Sequence, residues 1–172
     1  MEYSELIRTR ESIRNYDHGK PVEPEKLNRI LEAGRIALSA ANRQPWEFWL
    51  VSSDQMLLKI RDCYHRDWYK NAPHVLVVVG KKDEAWVRGS DGYNSVETDT
   101  AIAMTHMILA AENEGVGACW IAAFNPVELI EALDLQENQV VFGIATLGYP
   151  QPGFCKKGEK IRKEFREVVR YL

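Results

Sequence analysis

The sequence predicts a single domain of mixed helices and strands, on three observations. Apolar residues recur at helical spacing in some stretches and run continuously over strand-length stretches in others. The two kinds of stretch alternate irregularly along the chain. No internal repeat, low-complexity tract or Pro/Gly-rich linker divides residues 1–172, so one domain spans them, ending in a basic tail. A domain of that length buries roughly 70% of the surface its unfolded chain would expose, enough for a real core.

Composition narrows the function classes. The apolar fraction of 45% and charged fraction of 27% are those of an ordinary folded protein. A formal charge of -3, without a dense Lys/Arg block, argues against a nucleic-acid partner. No apolar run approaches the roughly 20 residues that span a bilayer, and Met1–Glu5 lacks the basic and apolar regions of a leader, so no membrane partner and a cytoplasmic location are expected. Cys63, Cys119 and Cys155 are widely spaced, without CxxC or a nearby His pair, and fit a reducing compartment better than a disulfide framework or metal site. His18, His65, His74 and His106 are too scattered for a metal or a triad.

The elements follow in order. Pro24 suits a first helical position although Glu23 is a poor N-cap, and Leu27, Ile30, Leu31, Gly34 and Leu38 then form one apolar stripe. Trp46 to Val51 reads as a strand. Ser53-Asp54 offers a cap for a helix with Leu57, Ile60, Tyr64 and Trp68 on one face. After the Asn71-Ala72-Pro73 turn, His74 to Gly80 is a β-branched run typical of a central strand covered on both faces. Residues 96–114 read as a helix apolar nearly all round between Ala101 and Ala111, and so buried either in the monomer core or at a subunit interface, with Gly115 as its C′ residue. Ala118 to Ala123 is a further strand. Asn125, Pro126 and Glu128 then open a short helix in a variant of the capping box. Gln139 to Gly148 is a third long strand, and the tail closes on Val168, Val169, Tyr171 and Leu172, an apolar end that needs a surface to pack on, such as a partner subunit.

Standard phosphate loops are missing. Gly115-Val116-Gly117 is a fragment of GxGxxG and no GxxxxGK[ST] occurs, so any phosphorylated cofactor must be held otherwise. Arg10, Ser12 and Arg14 place two guanidinium forks around a hydroxyl, which suits a phosphate monoester, although a solvated basic helix end accounts for them as well. In Ser39-Ala40-Ala41-Asn42-Arg43-Gln44-Pro45-Trp46, small residues permit close approach to a flat ring and two amides can meet its carbonyls and nitrogens; an ordinary helix-to-strand loop would read the same. Ile121, Ala122 and Ala123 end a buried strand where backbone N–H groups come free. Lys160 and Arg162 form a second cationic pair, readable alone as a solvated face.

Jointly, these segments are more informative. Arg-x-Ser-x-Arg near the N-terminus, Ser-x-x-Asn-x-Gln-Pro-Trp about 25 residues later, an apolar strand after Ala-Pro, Gly-x-Gly-x-x-Trp-Ile, and Leu-Gly-Tyr-Pro followed by Lys-x-Arg resemble the nitroreductase family in order and spacing over essentially the whole chain. The resemblance implies an α+β fold with a central, mainly antiparallel sheet flanked by helices, in an intertwined homodimer with FMN at the interface. By position it implies that Arg10, Ser12 and Arg14 contact the FMN phosphate and pyrimidine edge, and that Lys160 and Arg162 contact the phosphate. Ser39, Ala40, Asn42 and Gln44 would come from the opposite subunit, while Ile121, Ala122 and Ala123 would face flavin N5 and O4 through their backbone.

The implied function is an oxidoreductase passing a hydride from NADH or NADPH through flavin N5 to a nitro, quinone or related small-molecule acceptor by a ping-pong mechanism. Because the redox chemistry is the cofactor's, no side chain is nominated as a catalytic acid or base. The alternative is a non-catalytic flavin- or ligand-binding dimer. Three residues depart from the family's common pattern. Glu11 stands where many members have Arg or His, so its carboxylate should point away from the phosphate, or the residue contacts the ring through its backbone. Leu38 replaces a common Pro, and Ala122 a Glu of larger members. Trp68, Tyr69 and Tyr93 are read either as lining for the acceptor pocket or as core aromatics.

Overall fold

The structure is a computed structural model, and it describes residues 1–158 and 160–172. Its centre is a four-stranded sheet ordered β1-β2-β4-β3, formed by β1 (Trp46–Val51), β2 (His74–Lys81), β3 (Gly117–Ile121) and β4 (Gln139–Gly148). All three strand pairings are antiparallel. The α+β expectation therefore holds. Helices are α1 (Tyr3–Thr9), α2 (Pro24–Arg35), α3 (Asp54–Ile60), α4 (Asp67–Lys70), α5 (Val96–Asn113), α6 (Pro126–Leu133) and α7 (Phe165–Val168). Among the described residues, none is long and apolar enough to cross a membrane.

Strand periodicity sorts the core into two layers. Leu76 and Val78 of β2 face one way and pack with Leu27 and Ile30 of α2 and Met104 and Met107 of α5. Val75, Val77 and Val79 face the other way, onto Leu57 and Ile60 of α3 and Leu129 and Leu133 of α6. A strand buried on both faces needs apolar residues at every position, which is why β2 is a continuous apolar run. Gly34 lets α2 approach α5, since a Cβ there would lie 2.7 Å from the Met107 sulfur.

Helix punctuation is as the residues dictate in several places. Ser53 accepts the Met56 N–H at the start of α3, and Asn125 accepts the Val127 N–H at the start of α6. Gly115 takes φ +71° just beyond α5, the left-handed conformation that ends helices.

Four sequence expectations are corrected. The helix expected to carry Leu57, Ile60, Tyr64 and Trp68 stops at Ile60, and a 3-10 turn at Arg61–Cys63 and the separate α4 follow. Tertiary partners take the carbonyls that continuation would use: the Tyr69 hydroxyl donates to the Ile60 oxygen and the Asn125 N–H to that of Cys63. That second bond also dismantles the expected capping box, because the Asn125 N–H is already engaged and Glu128 Oε2 is left buried without a partner. Leu38 lies beyond the end of α2 and is exposed. β3 ends at Ile121 rather than Ala123, leaving Ala122 and Ala123 exposed.

One buried imidazole makes stability depend on pH. His74 Nε2 accepts the Val22 N–H at 3.3 Å, so its Nδ1 carries the proton and donates to Ser52 Oγ at 2.7 Å. Burial holds the His74 pKa below its ordinary 6.5. The unfolded chain therefore takes up a proton first, and stability present above pH 6.5 is lost as pH falls from there toward the folded value. Melting temperature measured between pH 8 and pH 5 should fall on the acid side, and the fall should be shallower in His74→Gln.

Candidate functional site

The N-terminal segment after α1 is fixed to the sheet by its apolar residues. Ser12 makes a parallel bridge to Ala118 on the free edge of β3, and the Ile13 N–H donates to the Ala118 carbonyl at 3.0 Å. Ile13 and Tyr16 are fully buried on the inner side. Tyr16 donates its hydroxyl proton to the Ile13 carbonyl at 2.6 Å and shares a 2.6 Å hydrogen bond with Thr146 Oγ1 of β4. Burial pushes the Tyr16 phenol far above its ordinary pKa, so it stays a neutral donor. Gly117 is required for this close approach: a Cβ there would lie 2.8 Å from Ile13 Cγ1 and 3.0 Å from the Gly148 carbonyl oxygen.

With Ile13 and Tyr16 directed inward, Arg10, Glu11, Ser12 and Arg14 border a surface cleft. The basic tail supplies its other wall. Arg10, Glu11, Ser12 and Arg14 line a cavity of about 320 Å³ together with Lys157, Gly158, Lys160 and Arg162. Among the described residues, none of its five cationic side chains forms an ion pair, whereas Arg29, Arg35 and Arg88 elsewhere are each paired to a carboxylate. Desolvation and the neighbouring charges of Arg10 and Arg162 lower the Lys160 pKa, opposed by Glu11 and Glu112. Cations held together against their repulsion favour an anionic occupant.

Glu11 does not oppose such an occupant head-on. Its carboxylate turns to the tail and accepts the Lys157 N–H at 2.9 Å. Cys119 lies beneath the cleft beside Ser12 and Arg14; burial raises its thiol pKa and the Arg14 charge partly offsets this. Its sulfur is buried, as is that of Cys63, while Cys155 is exposed, and all three are free.

The remaining sequence candidates lie elsewhere on the chain. Ser39, Ala40, Asn42 and Gln44, and likewise Ile121, Ala122 and Ala123, do not line this cleft. The segment Ser39–Gln44 forms a tight turn in which Ala41, Asn42 and Gln44 take φ of +49°, +54° and +52°. Such left-handed residues cost on the order of 1–3 kcal/mol each and persist only where surroundings over-determine them. Here Ser39 Oγ accepts the Gln44 N–H at 2.9 Å, and the Gln44 amide donates to the Asn42 carbonyl at 3.1 Å. Buried Asp99 of α5 accepts the Ala40 N–H at 2.9 Å and the Ser95 hydroxyl at 2.7 Å. Of the aromatic candidates, Tyr69 is core, Trp68 packs edge-on against Tyr64 and Tyr69, and Tyr93 is partly exposed and bonded to Thr98.

Two contributors were missed in the sequence. Lys157 belongs to the cleft and is readable only as part of the basic tail run. Asp99 anchors the Ser39–Gln44 turn and carries no local signal, because its partner Ala40 lies 59 residues away.

A three-layer α+β domain with a cationic cleft assembled from both ends of the chain is thus in place, and comparison with known proteins gives it a family. The Nitroreductase family model matches residues 7–63 and 54–149. An Archaeoglobus fulgidus protein provisionally named NADH dehydrogenase/NAD(P)H nitroreductase is 32% identical over 161 residues, covering 87% of this chain and 86% of the relative. Among solved structures, a nitroreductase family protein from Clostridium difficile 630 superposes with a TM-score of 0.92 at 32% identity, covering 99% of this chain and 98% of the other. An FMN-dependent nitroreductase from Clostridium difficile R20291 superposes with a TM-score of 0.80 at 26% identity, covering 96% of each chain. The chain belongs to the nitroreductase family, and so to the oxidoreductases.

Proposed function

We propose that this protein is an FMN-dependent NAD(P)H oxidoreductase working as a cytoplasmic homodimer, with the cationic cleft as the seat of the FMN phosphate. The observation that carries this reading is the meeting of Arg10, Arg14, Lys157, Lys160 and Arg162 around one small cavity. A phosphate monoester brings close to two negative charges and three acceptor oxygens, matching guanidinium forks and the Ser12 hydroxyl. FMN and NAD(P)H appear in the names of the relatives, which supports the same choice.

The chemistry that FMN supplies when bound is acceptance of a hydride at N5 from NADH or NADPH and onward delivery to a nitro, quinone or related acceptor in a ping-pong sequence. The chain's own residues then bind and orient. Arg10, Arg14, Lys160 and Arg162 hold the phosphate, Ser12 donates to it, and Glu11 stays turned to the tail. The exposed amides of Asn42 and Gln44, on the turn from Ser39 through Ala40, suit a ring edge supplied across a dimer interface. Ile121, Ala122 and Ala123 offer backbone at the open end of β3 to the ring's N5 side. The exposed apolar residues Ile161, Phe165, Val168, Tyr171 and Leu172 of the tail support a second subunit as their partner. Free thiols at Cys63, Cys119 and Cys155 accord with a reducing compartment.

Purified protein should be yellow, release FMN on denaturation, and bleach on anaerobic addition of NADH or NADPH. A protein that neither carries nor takes up FMN would sink the reading. One that binds FMN but resists bleaching by both reductants would instead be the non-catalytic binding dimer.

A further inference from the structure

We propose that Glu112 of α5 is a positioning residue for the cleft: by capturing Lys156 it seats the tail, and so sets whether Lys157, Lys160 and Arg162 face the anion. The inference rests on the reading of the cleft as the FMN phosphate site.

Beyond the end of β4 the tail has little apolar anchorage, since nearly every described residue from Gln151 to Leu172 is exposed. Within the protomer, polar contacts at residues 156–160 therefore decide where the first half of the tail lies, while its apolar end is left for the second subunit. Lys156 Nζ is ion-paired to Glu112 Oε1 and also donates to the Thr9 carbonyl at 3.2 Å, while the Thr9 hydroxyl donates its proton to the Glu5 carbonyl at 2.9 Å. One residue on, the Lys157 N–H donates to Glu11, and Lys160 Nζ donates to the Arg8 carbonyl at 2.8 Å. The tail is thus stitched to residues 8–11, the stretch that leads directly into Ser12 and Arg14. Glu112 differs from the other anchors in being buried at 8% exposure, on the longest helix of the core. A carboxylate desolvated to that degree strongly retains its cationic partner, because separation leaves a buried charge uncompensated.

The latch works against a definite opposing force. Docking the tail brings Lys157, Lys160 and Arg162 against Arg10 and Arg14, and like charges repel across so small a cavity. Both the Glu112–Lys156 pair and a bound dianion favour the docked tail. By linkage each then strengthens the other, so loss of the pair weakens anion binding although neither residue lines the 320 Å³ cavity.

Glu112→Met gives a test with opposed signs. Removing a carboxylate near a cationic cleft should by Coulomb's law alone tighten FMN binding, whereas unseating the tail should weaken it. The expected result is at least tenfold weaker FMN retention on dilution of the purified protein, read by flavin fluorescence, with faster tryptic cleavage after Lys157, Lys160 or Arg162. Lys156→Met, at a side chain 40% exposed, should weaken FMN retention and expose the tail likewise while leaving Glu112 in place, and Lys156→Arg, which keeps a cation for Glu112, should restore both readouts. Unchanged or tighter FMN binding with unchanged tail protection in both Met variants overturns the latch. Arg162→Ala run alongside separates the two readings: if it loses FMN while the Met variants keep it, only the latch fails, and if it also keeps FMN, the phosphate site itself is elsewhere.

Discussion

Arg14→Ala and Arg162→Ala are each expected to weaken FMN binding by about 2 kcal/mol, some thirtyfold, while leaving the fold intact. Truncating one member of a desolvated, hydrogen-bonded charge pair typically costs about 2 to 5 kcal/mol. The lower end applies because both side chains are exposed at the mouth of the cleft, so solvent can partly replace the lost partner. The two residues come from opposite ends of the chain and line the same cavity, so their effects should not add independently. A double-mutant cycle on FMN affinity, measured by fluorescence titration at fixed ionic strength, should give a non-zero coupling term. Unchanged FMN affinity in both single variants would place the phosphate away from this cleft, and purely additive losses would mean that the two side chains do not share one anion.

Tyr16→Ala is expected to have the largest effect on stability. Tyr16 is fully buried, and truncating an aromatic side chain to Ala in a core costs about 3–5 kcal/mol. For a chain of 172 residues that is a fall in Tm of roughly 6–20 °C, measurable by thermal unfolding. Tyr16→Phe keeps the ring but leaves the Ile13 carbonyl and the Thr146 hydroxyl each short of a partner, so it should cost about 1–3 kcal/mol. Since Tyr16 and Ile13 hold the Ser12–Arg14 segment on the edge of β3, the Ala variant should also lose FMN where the Phe variant retains most of it. A stable Ala variant would mean that the β3 edge, rather than this plug, positions the cleft.

Much of the fold was legible because burial imposes patterns on sequence. β2 reads as a central strand since a strand covered on both faces must be apolar throughout, and the buried residues Val75 to Val79 satisfy that. One face of α5, with Met104, Met107, Ile108 and Ala111, is buried against α2 and the sheet, but Thr105 and His106 are exposed and Ile102 and Leu109 half-buried, so the all-round burial expected of it is not met within the protomer; Gly115 marks its end for a reason of backbone sterics alone. Ser53 and Asn125 are readable caps because their partners lie two or three residues away.

The errors occur where partners are distant. Helical spacing through Tyr64 and Trp68 could not reveal that Tyr69 and Asn125 would claim the carbonyls at Ile60 and Cys63. Nor does any local feature mark the left-handed turn at Ala41, Asn42 and Gln44, which lacks glycine at each of those positions and depends partly on Asp99. Glu112 and Lys156 are separated by 44 residues and give no sign of their pairing in the sequence.

By itself the amino-acid order determined the four strands and the main helices, though not where α3 and β3 end, and it supplied the guanidinium, ammonium and hydroxyl groups suited to a phosphate at both ends of the chain. Only the tertiary structure decided that those groups meet. Secondary structure follows from apolar periodicity and short-range backbone chemistry, which a linear reading contains, whereas the cleft depends on Ser12 bridging to Ala118 and on the tail returning to residues 8–11. Contacts of that range are chosen by the packing of the whole core.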